Sequence, residues 1–415
     1  MKRHDTPTQS AYIRFEGLNA PVLLDGCTEL LEPLARIIPH WPYSVSAEPG
    51  DTEPTSTISR IRKGRYTIAS LSTCGETREF NAVNAICDMI VELSCELLRS
   101  GEQLMCLHGA AVEISGRLVI IPNVRRAGKS TLTACLAHRG FRVFSDDFFS
   151  VGLDPDGRFQ GVAMGVSPRL RLPVPESFST GFRDWVSTND GPANRQYKYL
   201  TLPDQPAHGS ECPLGAIIFL NRKKTGPTTL EPMDMHKAVA ALLHQNFART
   251  VHSGTILHMT KALLSAVHPH RLTYSCAEEA AAFLETRFSD WPADPPVARN
   301  QHLIEFREVD EELIAAPMPE FHRDAIYVRK HGYSEVTMNG GHYLTDAFGL
   351  GVHRLNDGSL AIWRLLEEPM DLDDLCDVLA HAFPDAPRAQ IEADSTKMLT
   401  RFVEHRLVEP AGRTG

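Results

Sequence analysis

The sequence predicts an α/β domain built around a phosphate-binding loop, followed by a separate small unit of strands and helices. Three observations predict it. Residues 117–147 read strand, turn, helix, strand, with AGKST at the turn; a proline-rich stretch interrupts the chain near 290–320; and beyond it short strand patterns give way to three helical ones. A length of 415 residues accommodates two or three domains. With 42% hydrophobic and 23% charged residues the composition excludes a mostly disordered chain. A net charge of −10 argues against a general nucleic-acid binder or a protein of anionic membranes. No apolar stretch approaches the roughly 18 residues of a membrane helix, and MKRHDTPTQSAYIRF lacks the apolar segment of a secretory signal. A cytoplasmic location is therefore expected. Nine cysteines without a CxxC pair indicate neither a zinc knuckle nor a disulfide framework.

The elements follow in order. AYIRF and ISRIRKGRYTIASLS read as strands, and Phe80, Val83, Ile86, Ile90, Leu93 and Leu97 recur at helical spacing, predicting an amphipathic helix over about 79–100 whose acids form a solvated face. VEISG and RLVIIP form a hairpin, residues 129–138 a helix closed by Gly140, and RVFSDD a buried strand ending in two acids. Residues 150–210, rich in proline and glycine, read as loops and short strands over a site. LGAIIFLNR is a strand, about 235–267 is helical, and RLTYSCAEEAAAFLETRF is a strand followed by a helix. The expected organisation is an N-terminal α+β part over 1–100, a catalytic domain over 101–290, a linker over 291–319 and a C-terminal domain over 320–412.

The motif with chemistry is NVRRAGKST at 123–131. A Walker A loop has the spacing G-x-x-x-x-G-K-[ST]; Gly128, Lys129 and Ser130 fill its second half, and Asn123 stands where the first glycine would be. Gly128 lets the backbone bend round a phosphate, the following N–H groups open a helix, Lys129 brings a cation to the β/γ-phosphates and Ser130 offers a magnesium ligand. The whole loop, Asn123, Arg125, Arg126, Ala127, Gly128, Lys129, Ser130 and Thr131, is the candidate nucleotide-binding set. Asp146 and Asp147 end the strand one helix later, where a Walker B strand places a carboxylate on magnesium and a second as base. His108 directly precedes the hairpin that leads into the loop.

Together these residues make CLHGAAVEISGRLVIIPNVRRAGKSTLTACLAHRGFRVFSDDFFSV resemble HPr kinase/phosphorylase and its relatives, most clearly over 105–151 and plausibly over about 1–290. The resemblance implies a phosphoenolpyruvate-carboxykinase-like P-loop fold and phosphorylation of a serine hydroxyl with ATP and Mg2+. On that basis Lys129 binds phosphate, Ser130 and Asp146 hold the metal, Asp147 takes the proton of the attacking hydroxyl and His108 positions the transferring phosphoryl group. The two aspartates are interchangeable on spacing alone. Arg169, Arg171 and Lys198 stand where the superfamily contributes basic residues on the substrate side. Asn123 and the lack of the family's downstream glutamate signature depart from the family pattern and leave HPr as the substrate, and the reverse phosphorolysis, open.

Residues 320–412, with strands ending at LND-G, a helix carrying Trp363 and Leu366 and a DLDDL helix start, resemble the PqqD-like family of leader-peptide recognition elements. This implies a winged-helix-like domain of three strands and three helices that takes up a peptide as an added strand. The binding edge would be Gly351, Val352, His353, Arg354 and Leu355, facing Ala393, Lys397 and Arg401; Trp363 reads as core rather than contact. The combined expectation is an ATP-dependent kinase for a serine, or less favourably a threonine, of a ribosomally made precursor peptide, lasso-type precursors being the class implied by related kinases. Its partner would be that peptide, with no nucleic acid and no membrane, and homo-oligomerisation stays open. Two alternatives remain: a small-molecule or amino-acid kinase with a partner-recruiting C-terminal domain, and a non-catalytic ATP-gated peptide chaperone.

Overall fold

Period-two alternation in the first seventy residues becomes a five-stranded sheet in the computed structural model, which describes residues 9–70, 78–100, 105–122, 127–246, 251–291, 294–297 and 307–411. Strands β1 (Ala11–Phe15) and β2 (Val22–Asp25), helix α1 (Leu31–Ile37) and strands β3 (Tyr43–Ser46), β4 (Ser56–Arg62) and β5 (Arg65–Ser70) give the order β3-β1-β2-β4-β5. Helix α2 (Ala82–Ser100) buries Val83, Ile86, Ile90, Leu93 and Leu97, the stripe that the spacing predicts. Its acidic face is not uniformly solvated. Glu92 and Glu96 are buried, because α2 is packed by α1, β4, β5 and the next strand, β6 (Met105–His108), and so has more than one covered side.

The second sheet supports the loop. After β6 come β7 (Ala110–Ile114), β8 (Arg117–Ile121), α3 (Lys129–His138), β9 (Arg142–Ser145), β10 (Phe148–Leu153) and β11 (Phe159–Val162). Then follow β12 (Arg169–Arg171), α4 (Thr180–Thr188), β13 (Tyr197–Tyr199), β14 (Glu211–Arg222), β15 (Thr229–Pro232), α5 (Met235–Gln245), α6 (Ser253–Ala266), β16 (Pro269–Tyr274) and α7 (Ala277–Arg287). The strand order is β6-β10-β11-β14-β8-β7-β9, with β16 alongside β14 and β15 beyond it. β14 is parallel to β8 and to β16. β7 is antiparallel to both β8 and β9, so the strand before the loop and the strand that ends in the two acids run the same way. Leu132 and Leu136 of α3 pack with Val119, Ile218, Leu272, Ala281 and Leu284 in one core, which fixes the helix start at the end of β8.

Between 150 and 210 the chain is more regular than its proline and glycine content suggests. β10 and β11 belong to the main sheet, and α4 is a true helix capped by the Ser179 hydroxyl, which accepts from the Phe182 N–H, with Phe182 and Val186 in the core.

The chain divides into two units: Met1–Ala248 with Ala262–Gln301, and Arg249–Lys261 with His302–Gly415. The second contains α8 (Glu311–Ala315), β17 (Tyr327–Arg329), β18 (Ser334–Met338), β19 (Gly341–Thr345), β20 (Val352–Leu355), α9 (Asp357–Leu365), α10 (Leu372–Ala382), α11 (Arg388–Glu404) and β21 (Val408–Pro410). Strands β18, β19 and β20 form an antiparallel sheet in that order, and β17 pairs with β21. Side chains of Asn356 and Asp371 accept backbone N–H groups at the starts of α9 and α10, stopping each helix where the sequence turns. Trp363, Leu344, Leu375, Leu399 and Phe402 form the core. Residues 307–319, in the span expected to link the domains, group with this unit and include α8. Among the described residues no helix is long and apolar enough to cross a membrane.

Candidate active site

Two short backbone devices bring distant residues to the end of β9. The Ser145 hydroxyl donates to the Phe148 carbonyl and accepts the Asp147 N–H at 3.3 Å, which ties the turn that carries Asp146 and Asp147. β10 then pairs with β6 so that His108 lies opposite Phe148, and the Gly109 N–H donates to the Asp147 carbonyl at 3.0 Å. His108 is therefore placed beside the acids by sheet register.

The polar side chains form a row. Lys129 Nζ, on the first residue of α3 and 7% exposed, lies 3.2 Å from His108 Nε2. His108 Nε2 is 3.5 Å from Asp147 Oδ1, and Asp147 Oδ2 is 3.4 Å from Arg169 Nη2. The backbone N–H of Arg169 donates to Asp146 Oδ2 at 3.1 Å, while Asp146 Oδ1 is buried and makes no hydrogen bond of normal geometry. Arg169 is itself held by the Cys87 thiol and by the ring of Tyr197, 4.7 Å beneath its guanidinium. A cavity of about 10 Å3, enough for one water-sized occupant, lies beside Asp146, Asp147, Ser167 and Tyr199.

The environment pulls the two carboxyls apart. Burial and the adjacent Asp147 charge push Asp146 up to about 7, against the Ser130 hydroxyl and Arg169. For Asp147 burial acts in the same upward direction, but His108, Arg169 and Lys129 together outweigh it and hold the group at about 2. One acid is thus poised to change charge near neutrality while its neighbour stays ionised.

Gly128 caps α3 in the left-handed region, φ 102°, and a Cβ there would stand 2.5 Å from the Tyr274 hydroxyl. Backbone conformation and space both require glycine at this point of the loop. Ala127, Ser130 and Thr131 lie at the same helix start, where the first N–H groups of α3 have no partner within the helix. Asn123, Arg125 and Arg126 lie outside the described residues.

Of the three basic residues expected on the substrate side, the structure brings Arg169 to the acids. Arg171 is exposed at the end of β12. Lys198 Nζ donates to the carbonyls of Val186 at 2.7 Å and Ser187 at 3.3 Å, so its charge satisfies the end of α4. Sequence reasoning missed Cys87, Tyr197 and Tyr274. Nothing in the spacing of α2 marks Cys87, which lies next to the apolar stripe and meets Arg169 only through the tertiary fold.

The donor set suits a phosphate with a hard divalent cation. Lys129 and the N-terminal end of α3 supply positive charge, and the Asp146 carboxyl, whose Oδ1 makes no hydrogen bond of normal geometry, together with the Ser130 hydroxyl that interacts with it, offers the oxygen ligands that Mg2+ takes.

The Asp146 environment predicts a pH signature in the protein without divalent cations. Its folded pKa lies above the unfolded value of 3.8, so between about pH 4 and 7 folding takes up a proton and stability falls as pH rises. Asp147, shifted down, has the opposite sign and acts only below about pH 4. The melting temperature of wild type relative to Asp146→Asn is expected to decline from about pH 5 to 7; a difference that is flat over this range would contradict the burial argument.

In the second unit, β20 pairs with β19 and with no second strand among the described residues; the Gly351 carbonyl just before it accepts from the Ser253 hydroxyl at 2.9 Å, Val352, His353 and Arg354 lie on the strand, and Leu355 points into the core. A groove of about 380 Å3 runs between α9, α10 and α11, with Ile362, Leu379 and Met398 in its lining and Lys397 and Arg401 alongside. Ala393 is exposed on the same stripe of α11 as Lys397 and Arg401.

Comparison with known proteins places these units among others. No curated protein matches the chain. The first region is similar to the HPr(Ser) kinase/phosphatase of Coxiella burnetii, at 11% identity over 44% of this chain and 91% of that one, with a TM-score of 0.24. The second is similar to the PqqD truncation of Methylobacterium extorquens PqqCD, described as a stand-alone recognition element for ribosomally synthesised and post-translationally modified peptides. That match has 22% identity over 22% of this chain and 96% of that one, with a TM-score of 0.19. Residues 342–408 match the family model for coenzyme PQQ synthesis protein D (PqqD), and the second unit therefore contains a PqqD domain.

Proposed function

We propose that the chain is a cytoplasmic phosphotransferase that uses ATP and Mg2+ to phosphorylate a serine, or a threonine, of a ribosomally made precursor peptide whose leader is held by the PqqD domain. The observation that carries the reading is the contact row Lys129, His108, Asp147 at the mouth of a helix opened by Gly128, with the Asp146 carboxyl beside it. Bound Mg2+ would neutralise charge on the phosphates, with Asp146 and Ser130 as its protein ligands. The chain's own residues then have separate tasks. Lys129 and the α3 N–H groups bind the donor phosphates, His108 orients against the transferring group, and Asp147 holds the acceptor hydroxyl and receives its proton. Arg169 keeps Asp147 ionised and in place.

The PqqD domain supports the peptide as partner. β20, which pairs with one strand among the described residues, is the candidate for strand addition, where main-chain bonds give affinity and side-chain pockets such as the α9–α11 groove give choice. A leader bound there raises the local concentration of its acceptor, so the phosphate site needs little sequence recognition of its own.

The test is incubation of the purified chain with Mg-ATP and the precursor peptide encoded beside its gene, followed by mass spectrometry. A gain of one phosphate that requires the leader is expected. Binding of the peptide without any phosphate gain in the presence of ATP would favour a chaperone instead.

A further inference from the structure

The second unit contains a cluster that the phosphate-transfer reading does not use. Asp346, just after β19, His353 on β20 and His405 at the end of α11 bring one donor atom each to within 4.8 Å of one another. His353 Nε2 is 4.0 Å and His405 Nδ1 3.9 Å from Asp346 Oδ2, and the two imidazoles stand 4.2 Å apart.

Three independent features distinguish this cluster from an ordinary surface grouping. The Asp346 side chain is fully buried; Oδ1 accepts the Leu350 N–H at 2.8 Å, the Gly349 and Gly351 N–H groups also face the carboxyl, and Oδ2 completes no hydrogen bond of normal geometry. His353 Nε2 is also buried and without a hydrogen-bond partner. Burying such groups without partners is unfavourable, and a bound ion would satisfy both. The space between them is held open, because Gly351 lacks the Cβ that would run into Asp346 Oδ2 and stand 2.8 Å from His353 Nε2.

We infer that Asp346, His353 and His405 form a binding site for a divalent transition metal of the zinc class. Two imidazoles and one carboxylate make a three-ligand set that leaves a fourth position open. Bonds of about 2.0–2.2 Å bring tetrahedral donors to about 3.3–3.5 Å apart, so on loading the two Asp–His pairs close by roughly half an ångström and the His–His pair, within 4.8 Å, by up to about 1.5 Å. His405 is the half-exposed ligand and gives the ion its route in. The bound ion staples β20 to the end of α11, the two elements that border the expected leader-binding edge. The inference stands on this cluster alone and does not depend on phosphoryl transfer.

The experiment uses the full chain, stripped with a chelator and titrated with Co2+, whose visible absorption reports the ligand type, and then with Zn2+ in competition. Wild type is expected to take up one Co2+ with a nitrogen and oxygen spectrum lacking thiolate charge transfer, and to melt at a higher temperature when loaded. His405→Gln, at a partly exposed position that leaves the core intact, should weaken binding more than about tenfold, since even outer partners of metal ligands cost 10–100-fold. Asp346→Asn keeps the side-chain shape and should do the same. A wild-type spectrum dominated by thiolate, or affinity and melting shift unchanged in both variants, would overturn the inference and leave an ion pair between His405 and Asp346.

Discussion

Asp147→Asn is expected to lower phosphoryl transfer by about 100- to 10,000-fold, the range lost when a positioned proton acceptor is removed, while nucleotide binding changes little. The carboxylate touches His108 and Arg169 and is held ionised by them and by Lys129, and under the proposed function it is the group that accepts the hydroxyl proton. A group held at about 2 is a weak base, and its use here fits a loose transition state in which the proton leaves late and alignment matters most. Asparagine preserves the shape and one acceptor oxygen but removes the charge. Arg169 keeps its backbone bond to Asp146, its Cys87 contact and its stacking on Tyr197, so the site is expected to stay assembled. The readouts are the single-turnover rate with saturating peptide and the nucleotide affinity measured separately. A rate within tenfold of wild type would move the proton acceptor to Asp146, the alternative that spacing alone leaves open. Equal loss of nucleotide affinity and rate would instead identify Asp147 as part of the nucleotide site.

The local parts of this architecture are legible in the sequence because local rules decide them. Helix α3 occupies 129–138 as the strand, glycine and apolar spacing require, and α9, α10 and α11 begin where Asn356, Asp371 and Pro387 can end an extended segment. What the sequence conceals is set by register and packing between distant segments. His108 reaches Asp147 because β6 lies beside β10, and Cys87 reaches Arg169 because α2 crosses the site; neither pairing leaves a period in the chain. Helix α4 hides between prolines and glycines, and its amphipathic pair, Phe182 and Val186, is too short a pattern to outweigh them. The buried Glu92 and Glu96 show the opposite error, in which charge alone suggests solvent. The Asp346, His353 and His405 cluster is of the same kind: strand pairing and the far end of a helix assemble it, so no ligand spacing appears in the sequence.

Trp363→Ala is expected to destabilise the second unit by about 3–5 kcal/mol, the usual cost of truncating a large buried aromatic. The indole is fully buried and joins four elements of one core. Its Nε1 donates to Glu335 Oε2 of β18 at 3.2 Å, Tyr333 meets it edge-on at 4.8 Å, Phe402 of α11 lies 5.5 Å away, and the Arg329 guanidinium of β17 sits 4.5 Å over the ring. Truncation leaves a large void and also strands the Glu335 carboxylate, which retains only its Arg364 partner at the edge of the core. For a domain of this size such a loss lowers the melting temperature by roughly 12 °C or more. Trp363→Phe retains most of the packing and loses the indole donor, so a cost near 1 kcal/mol is expected. Under the proposed function the two substitutions separate leader capture from phosphate chemistry. Trp363→Ala should abolish peptide binding at temperatures where nucleotide binding by the first unit survives, and Trp363→Phe should leave both. Loss of peptide binding in Trp363→Phe without a fall in melting temperature would make Trp363 a direct contact and contradict its place in the core.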